Sequence, residues 1–171
     1  MDVQLSAPER MMRSLIQRYD HGRYWRYRSI VVDAEKGTKL GDYYRLWYIK
    51  RADAFNNASM GTHRNYGASF AEPPQLPHGL NGIIVSHNAV IGKDCRIFHQ
   101  VTIGEGHGGA PVIGDHVVLG AGCKIIGGIH IGNHVKVAAG CVVMENIPDH
   151  SVVFPGALDI RIRQRSEDDE A

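Results

Sequence analysis

The second half of the chain carries a hydrophobic residue at every sixth position. A helix repeats every 3.6 residues and a strand every two, so neither element produces a strict period of six. A coil with three flat sides does, because each side takes six residues. The positions are Val85, Ile91, Ile97 and Ile103 in a first run, and Ile113, Leu119, Ile125, Ile131, Val137 and Val143 in a second. The pattern therefore predicts a solenoid of stacked coils.

A second apolar register follows the first by four residues, and Gly or Ala often stands directly after the first register. Its members are Cys95, Val101, Val117, Cys123, Ile129, Val135 and Cys141. Together the two registers are typical of a hexapeptide-repeat parallel β-helix, an all-β solenoid in which stacked coils bury one another's inner sides. Residues 104–112 interrupt the period with a Gly-rich stretch, which we expect to project outward.

The N-terminal third follows a different pattern, with apolar side chains at helical spacing. One amphipathic helix is predicted over residues 7–19 and another over residues 40–56. We expect the aromatic side chains of this part of the chain to cover the open end of the solenoid. They are Tyr24, Trp25, Tyr27, Tyr43, Tyr44, Trp47 and Tyr48. The predicted organisation is a helical extension over 1–60, the β-helix over 61–160 and a C-terminal tail over 161–171.

Composition narrows the function classes. The net charge of +1 argues against a nucleic-acid-binding protein, which needs a clustered basic surface. The sequence has neither a signal-peptide core at its N-terminus nor the roughly 18 apolar residues of a membrane span. We therefore expect a soluble cytoplasmic protein. That compartment favours reduced, buried cysteines over a disulfide between Cys123 and Cys141.

Five segments of residues 78–160 carry a more specific signal. They are HGLNGIIV at 78–85, VTIG at 101–104, PVIGD at 111–115, LGAGCKIIG at 119–127 and VAAGCVV at 137–143. These segments resemble the serine acetyltransferase branch of the left-handed β-helix acyltransferases. The resemblance implies a left-handed parallel β-helix, acetyl-CoA as the co-substrate, and a homotrimer with acetyl-CoA bound between adjacent subunits. Capsule polysaccharide O-acetyltransferases are similar to this chain too.

Differences from the serine enzymes bear on the acceptor. The long N-terminal helical domain of the serine enzymes is expected to be absent from this chain. This chain also has one extra residue between His78 and the VTIG segment. Pro77 stands where the family has an Asp beside its catalytic histidine, and Ala110 stands where a loop histidine is expected. In the serine enzymes, the acids missing here help to hold the amino-acid acceptor. A saccharide or polysaccharide precursor is therefore predicted as the acceptor, with L-serine as the alternative. For serine, Asp53 or Glu72 could supply the missing carboxylate from the N-terminal region.

Acetyl transfer from a thioester to a hydroxyl needs a base, donors for the oxyanion and a groove for the CoA arm. Histidine is the natural base, because an unperturbed imidazole is mostly neutral at pH 7. The resemblance gives this catalytic role to His78. His107 on the interrupting loop is the rival, since sugar O-acetyltransferases of this superfamily often carry a functional histidine there. The backbone N–H near Gly104 is expected to stabilise the oxyanion.

Counting along the coils predicts a column of small residues that leads to a histidine. Two adjacent slots hold His99, Ala121 and Ala139, and Gln100, Gly122 and Gly140. Such a column suits the pantetheine arm of acetyl-CoA, although small residues also fit tight corners. Lys136 and Arg161 are candidate partners for the CoA phosphates. The predicted cofactor-binding residues are Gly104, Ala121, Gly122, Lys136, Ala139, Gly140 and Arg161.

Two further pairs stand eighteen residues apart and should stack on neighbouring coils. The first pair is His87 and Glu105, which form either an acid–base pair or a surface contact. Both are predicted to contact the substrate, as is His99. His116 and His134 suggest a metal-dependent hydratase of the γ-carbonic anhydrase type. The third ligand of such a site is not evident, so no metal is expected. A trimeric acetyl-CoA-dependent O-acetyltransferase is the predicted function, with a metal hydratase and a non-catalytic scaffold as the other classes.

Overall fold

The computed structural model describes residues 6–36 and 38–156. Three helices come first, α1 (Ala7–Gln17), α2 (His21–Val31) and α3 (Lys39–Phe55). A parallel β-solenoid follows them, so the predicted all-β solenoid with an N-terminal helical part is confirmed. No helix in the described ranges is long and apolar enough to cross a membrane.

Three parallel sheets form the three sides of the coil. Side 1 holds β1 (Ser59–Met60), β5 (Ile84–Val85), β8 (Thr102–Gly104), β11 (Lys124–Ile126) and β14 (Val142–Val143). Side 2 holds β4 (Ser69–Phe70), β6 (Val90–Ile91), β9 (Val112–Ile113) and β12 (His130–Ile131). Side 3 holds β7 (Arg96–Ile97), β10 (Val118–Leu119), β13 (Lys136–Val137) and β15 (Val152–Val153). An antiparallel hairpin of β2 (Thr62–His63) and β3 (Tyr66–Gly67) lies between β1 and β4. The chain runs from side 1 to side 2 to side 3, and each corner is named here by the two sides it joins.

The six-residue register fills the interior, as predicted. Its members from Val85 to Val143 are each at most 4% exposed. Strand pairing aligns Val85 with Ile103, eighteen residues on, whereas Ile97 pairs with Leu119 across the four-residue insertion. Each fully buried side chain of this kind contributes roughly 1.5–3 kcal/mol of hydrophobic stabilisation. Stacking of the coils therefore supplies the core.

The three cysteines lie in the second register, where they are buried and free. Burial, followed by the neighbouring Cys141, raises the pKa of the Cys123 thiol to about 12. A thiol with such a pKa stays protonated at neutral pH and is a poor nucleophile. The predicted core position of the three cysteines is confirmed.

The first coil begins at Ser59, well before the first position of the six-residue register at Val85. Ser59 N–H donates to the Ile83 carbonyl at 2.8 Å, and β4 pairs with β6. Gln75 forms an isolated parallel bridge with Arg96 on side 3. The β2–β3 hairpin, inserted at corner 1–2, breaks the six-residue period and hides this coil in the sequence.

The helical part covers the first coil with only some of its aromatic side chains. Trp25 of α2 packs edge-on against Phe70 of β4, with ring centroids 4.8 Å apart. By contrast, Trp47 of α3 is 57% exposed. The predicted apolar face of α1 also lies at the surface, with Leu15 71% exposed. The prediction that these aromatics cover the solenoid end is therefore right for α2 and wrong for the outer face of α3.

The sequence pattern did not predict helix α2, because a charged residue lies on the buried face of this helix. Buried Arg28 donates to the Ala68 carbonyl at 2.6 Å and to Thr62 Oγ1 at 3.1 Å. Its guanidinium also lies 4.6 Å from the centroid of the Phe70 ring. Burial lowers the pKa of Arg28 to about 10, so it remains charged at neutral pH. An arginine on the inward face removes the apolar periodicity by which such a helix is recognised.

The buried carboxyl of Asp53 on α3 gives the fold a pH dependence. Tyr24 Oη donates to Asp53 Oδ1 at 2.6 Å, yet burial raises the pKa of the carboxyl from 3.8 to about 6. A raised folded-state pKa means that stabilisation is complete below the unfolded value and is lost as pH rises through about 6. The loss at pH 7.5 is up to roughly 3 kcal/mol, at 1.36 kcal/mol per pKa unit.

Asp53→Asn is therefore expected to stabilise the protein relative to wild type more at pH 7.5 than at pH 4. Urea unfolding at both pH values measures this difference. Glu145→Gln, which changes an exposed carboxyl, is the control and should show no such trend. An equal stability difference for Asp53→Asn at both pH values would contradict the prediction.

Candidate active site

Two histidines meet at corner 3–1, where the chain leaves side 3 and enters side 1. The Nδ1 atoms of His78, from the first coil, and His99, from the second, are 2.6 Å apart. Their ring centroids are 4.6 Å apart, with an angle of 44° between the rings. His78 is exposed and His99 is half-buried. The structure thus joins the predicted base to a predicted substrate residue and leaves His78 open to a ligand.

The segment that carries His78 is held by buried side chains and by a backbone hydrogen bond to the residue after α3. Leu80 and Ile83 are fully buried and anchor it to the core. Gly82 has a φ of +66°, and a Cβ there would lie 2.9 Å from Gln100 Cγ, so only glycine fits without strain. Gly82 N–H also donates to the carbonyl of Asn56 at 2.9 Å, just after α3. The corner is therefore rigid although His78 is exposed.

A column of small residues continues from His99 along the same corner. Gly122 N–H donates to the His99 carbonyl and Gly140 N–H to the Ala121 carbonyl, each at 2.9 Å. A Cβ at Gly122 or Gly140 would meet no atom within 4 Å. Ala139 at the end of the column is exposed. The structure thus brings His99, Ala121, Gly122, Ala139 and Gly140 together beside open space.

The cationic residues near this column are only partly those predicted. Lys136 is exposed on side 3, in register with Val118 and two residues before the corner. Lys124, which the sequence reasoning missed, is exposed on side 1 in register with Thr102. Arg161 lies outside the described residues. Lysines therefore flank the column on both adjoining sides.

Gly104 is the last residue of β8 and is part of the side 1 sheet. It is paired with Ile126 of β11, and its carbonyl accepts Gly127 N–H at 3.0 Å. In a parallel ladder, the N–H of a residue paired in this way bonds to the same neighbouring strand. The backbone of Gly104 itself is therefore engaged in the sheet, and a backbone N–H near Gly104 as oxyanion donor stays a prediction.

His87 and Glu105 lie at corner 1–2 but do not form an acid–base pair. Glu105 Oε2 accepts hydrogen bonds from Asn88 Nδ2 at 3.1 Å and from Ser86 Oγ at 3.3 Å. The eighteen-residue offset places Glu105 level with His87, but its carboxylate turns to the two residues on either side. Among the described residues, the hydrogen-bond partners of Glu105 are thus Ser86 and Asn88, and His87 Nε2 has no hydrogen-bond partner.

His87 instead packs against the hairpin that the sequence pattern did not reveal. Its ring centroid lies 4.8 Å from that of His63 and 6.0 Å from that of Tyr66, nearly parallel to the tyrosine. Burial, followed by the neighbouring His63, lowers the pKa of His87. Corner 1–2 therefore holds neutral His87 beside an aromatic hairpin.

The interrupting loop is a tight turn and does not project freely. Gly106 and Gly109 exchange backbone hydrogen bonds of 2.9 and 3.1 Å. The carbonyl of His107 accepts Gly128 N–H of the next coil at 3.0 Å, while its side chain is exposed. The loop and His78 lie at opposite ends of the side 1 strands. One chain alone therefore does not bring His78 and His107 together.

Three histidines stack at corner 2–3. The rings of His116 and His134 are 4.6 Å apart and nearly parallel, and His150, which was missed, adds a third ring 4.8 Å from His134. His116 Nδ1 lies 3.0 Å from Asp94 Oδ2. No group of three His, Cys, Asp or Glu side chains within residues 6–36 and 38–156 is arranged to hold a metal ion.

Neither carboxylate proposed as a substitute for the missing acid lies at corner 3–1. Asp53 is 3% exposed in the helical core, where its Oδ1 accepts a hydrogen bond from the Tyr24 hydroxyl. Glu72 Oε1 accepts Asp94 N–H at 2.5 Å, which places it at corner 2–3. The expectation that Asp53 or Glu72 holds an acceptor beside His78 in the same chain is therefore wrong.

Comparison with known proteins adds family information to this geometry. Residues 110–144 match the family described as bacterial transferase hexapeptide (six repeats). A serine acetyltransferase of Buchnera aphidicola is 36% identical over 114 residues, which cover 60% of this chain and 43% of that protein. The structure of serine acetyltransferase isoform 3 from Entamoeba histolytica with cysteine has a TM-score of 0.64 and 27% identity, covering 96% of this chain and 56% of that one. Neisseria gonorrhoeae serine acetyltransferase with serine has a TM-score of 0.55 and 30% identity, covering 64% and 44%.

The chain spans about half the length of these relatives. The resemblance to hexapeptide-repeat acyltransferases is confirmed by the family match and by the relatives' names. The preference for a saccharide acceptor was wrong, because these relatives and structural neighbours are serine acetyltransferases. The alternative, L-serine, is favoured instead.

Proposed function

We propose that this chain, whose coils carry the bacterial transferase hexapeptide repeat, transfers the acetyl group of acetyl-CoA to the hydroxyl of L-serine. The observation that carries the proposal is the exposed imidazole of His78 at the head of an open column of small residues. A base next to a groove is what direct transfer between two bound substrates requires. The serine acetyltransferase relatives support the choice of acceptor.

In the proposed reaction, His78 Nε2 takes the proton of the serine hydroxyl as its oxygen attacks the thioester carbon. The tetrahedral intermediate collapses by breaking the C–S bond. The imidazolium then returns its proton to the departing thiolate, so the products are O-acetylserine and free CoA. No enzyme nucleophile is needed, which agrees with the high pKa and full burial of Cys123.

The pantetheine arm of acetyl-CoA is proposed to lie along the small-residue column toward His99. Ala121, Gly122, Ala139 and Gly140 leave the backbone accessible there. A long, thin chain can approach such a surface closely, whereas larger side chains would hold it away. Lys136 is proposed to meet the CoA phosphates, since a lysine binds phosphate as a mobile point charge.

A homotrimer is proposed as the working assembly. Corner 3–1 holds His78, whereas corner 1–2 holds Glu105 and His107 at the far end of the side 1 strands. A three-fold arrangement would place corner 1–2 of one copy against corner 3–1 of the next. Glu105 from a neighbouring copy would then supply the carboxylate that the serine ammonium needs.

Acceptor profiling tests the proposal. Acetyl-CoA is mixed with L-serine, D-serine, L-threonine or L-homoserine, and free thiol release is followed while mass spectrometry identifies the product. L-Serine is expected to give the highest kcat/KM and O-acetyl-L-serine as the product. Thiol release that no amino acid accelerates above the hydrolysis rate would overturn the proposed acceptor. The same assay with His78→Ala separates enzymatic transfer from background hydrolysis.

A further inference from the structure

We infer that His99 is a positioning residue that orients the base His78 through a hydrogen bond between the two Nδ1 atoms. This inference rests on the proposed function, and it changes the role first predicted for His99, which was a substrate contact. At 2.6 Å, the Nδ1–Nδ1 distance leaves room for one proton between the rings and not for two. One ring must therefore donate while the other accepts.

The chemistry of the base fixes which ring donates. To accept a proton at Nε2, neutral His78 must carry its own proton on Nδ1. That Nδ1–H then donates to the bare Nδ1 of His99, whose proton sits on Nε2. His99 thereby selects the tautomer of His78 that is competent as a base. The exposed position of His78 and the half-buried position of His99 agree with this division of roles.

The pair also stabilises the charge that forms during transfer. When His78 gains the serine proton it becomes an imidazolium, and its bond to neutral His99 becomes charge-assisted and stronger. A second proton on the pair would set two N–H groups against each other at the same short distance. The pair therefore holds one extra proton readily and resists a second. A carboxylate commonly orients a catalytic histidine, and here a second imidazole does so.

In the part of the chain that the structure describes, the groups around the two rings include no charged side chain that could orient His78 in place of His99. Phe98 approaches His78 edge-on at 5.7 Å, and the Gly79 position faces Gln17 and Tyr19 of the helical part. Burial raises the pKa of the Tyr19 phenol, so it stays neutral at physiological pH. On the solenoid side the neighbours are Gln100 and Gly122, which carry no charge. Within residues 6–36 and 38–156, no carboxylate hydrogen bonds to either ring.

Three substitutions at position 99 test the inference in the L-serine assay. His99→Leu removes the acceptor and should lower kcat by about 10- to 100-fold, with little change in the KM for acetyl-CoA. His99→Asn keeps a neutral acceptor oxygen near the former Nδ1 and should restore most of the lost kcat. His99→Asp supplies a carboxylate and should restore kcat as well. His116→Leu, which removes a stacked histidine at corner 2–3, is the control and should leave kcat unchanged.

The pH–rate profile provides a readout that a merely structural role would not move. The midpoint of the acid limb in kcat/KM should fall in His99→Leu, because the imidazolium of His78 loses its partner. It should rise in His99→Asp, because a carboxylate stabilises that imidazolium. If both variants keep the wild-type midpoint, or if His99→Asn is as slow as His99→Leu, the inference is overturned.

A measurement independent of turnover separates this inference from the proposed function. Histidine ring signals, assigned by NMR with the His78→Ala and His99→Leu variants, are followed through a pH titration. Protonation of one ring should perturb the signals of the other, because the two rings share one hydrogen bond. In His78→Ala this perturbation of the His99 signals should be lost. A wild-type protein that lacks serine acetylation but shows this coupling refutes only the function, whereas independent titration of the rings refutes the inference.

Discussion

His78→Ala is expected to lower kcat for acetyl transfer by on the order of 10²–10⁴-fold, because it removes the group that takes the hydroxyl proton. The side chain is exposed and lies outside both inward registers, so the fold and the binding of acetyl-CoA should survive. Steady-state thiol release gives kcat, and calorimetry with CoA measures binding in the same preparation. Wild-type kcat in this variant would show that His78 is not the base.

His107→Ala tests the rival base in the same assay, since His107 is exposed and lies at the opposite end of the side 1 strands. A composite site predicts a second result when the two variants are mixed. If each variant alone is slow, co-assembled His78→Ala and His107→Ala chains should regain part of the wild-type rate, because some sites then combine one intact corner from each chain. If His107→Ala alone abolishes turnover while His78→Ala retains it, the loop histidine is the base. A mass corresponding to one 18.9 kDa chain with full activity would remove the proposed trimer.

The solenoid could be predicted because its core repeats a single physical requirement. Every coil must place apolar residues inward at fixed spacing, so the spacing alone predicts the buried positions from Val85 to Val143. The helical part has no such repetition. Its contact with the first coil depends on Arg28, whose buried charge is satisfied by carbonyls that come together only in three dimensions. A hydrophobic pattern cannot register a stabilising contact made by a cation.

The candidate site divides in the same way. The column of His99, Ala121 and Ala139 followed from counting, because the coil fixes which residues stack. The hydrogen bond between His78 and His99 did not follow, because His78 sits in the irregular first coil, before the period is established. His63 was missed for a related reason, since the hairpin that carries it interrupts the register. Sequence periodicity thus locates residues within the repeat but not those that reach the site from outside it.

Ala139→Leu is expected to weaken acetyl-CoA binding by about tenfold or more, equivalent to about 1.4 kcal/mol or more. Ala139 is exposed at the end of the small-residue column, where a leucine would occupy the space proposed for the pantetheine arm. The change adds no charge and touches neither inward register, so the free energy of unfolding should shift by no more than about 0.5 kcal/mol. Isothermal titration calorimetry with acetyl-CoA measures the dissociation constant, and urea unfolding measures the stability.

Ala71→Leu adds the same apolar bulk at an exposed alanine that follows β4 on the first coil, near corner 2–3. Because this position is remote from the column, its dissociation constant for acetyl-CoA should equal that of wild type. Equal weakening in both variants would indicate a general effect of added surface leucine. An unchanged dissociation constant in Ala139→Leu, with the fold intact, would place the cofactor on a different corner of the solenoid. Weakening confined to Ala139→Leu would support a cofactor path that ends beside the His78–His99 pair.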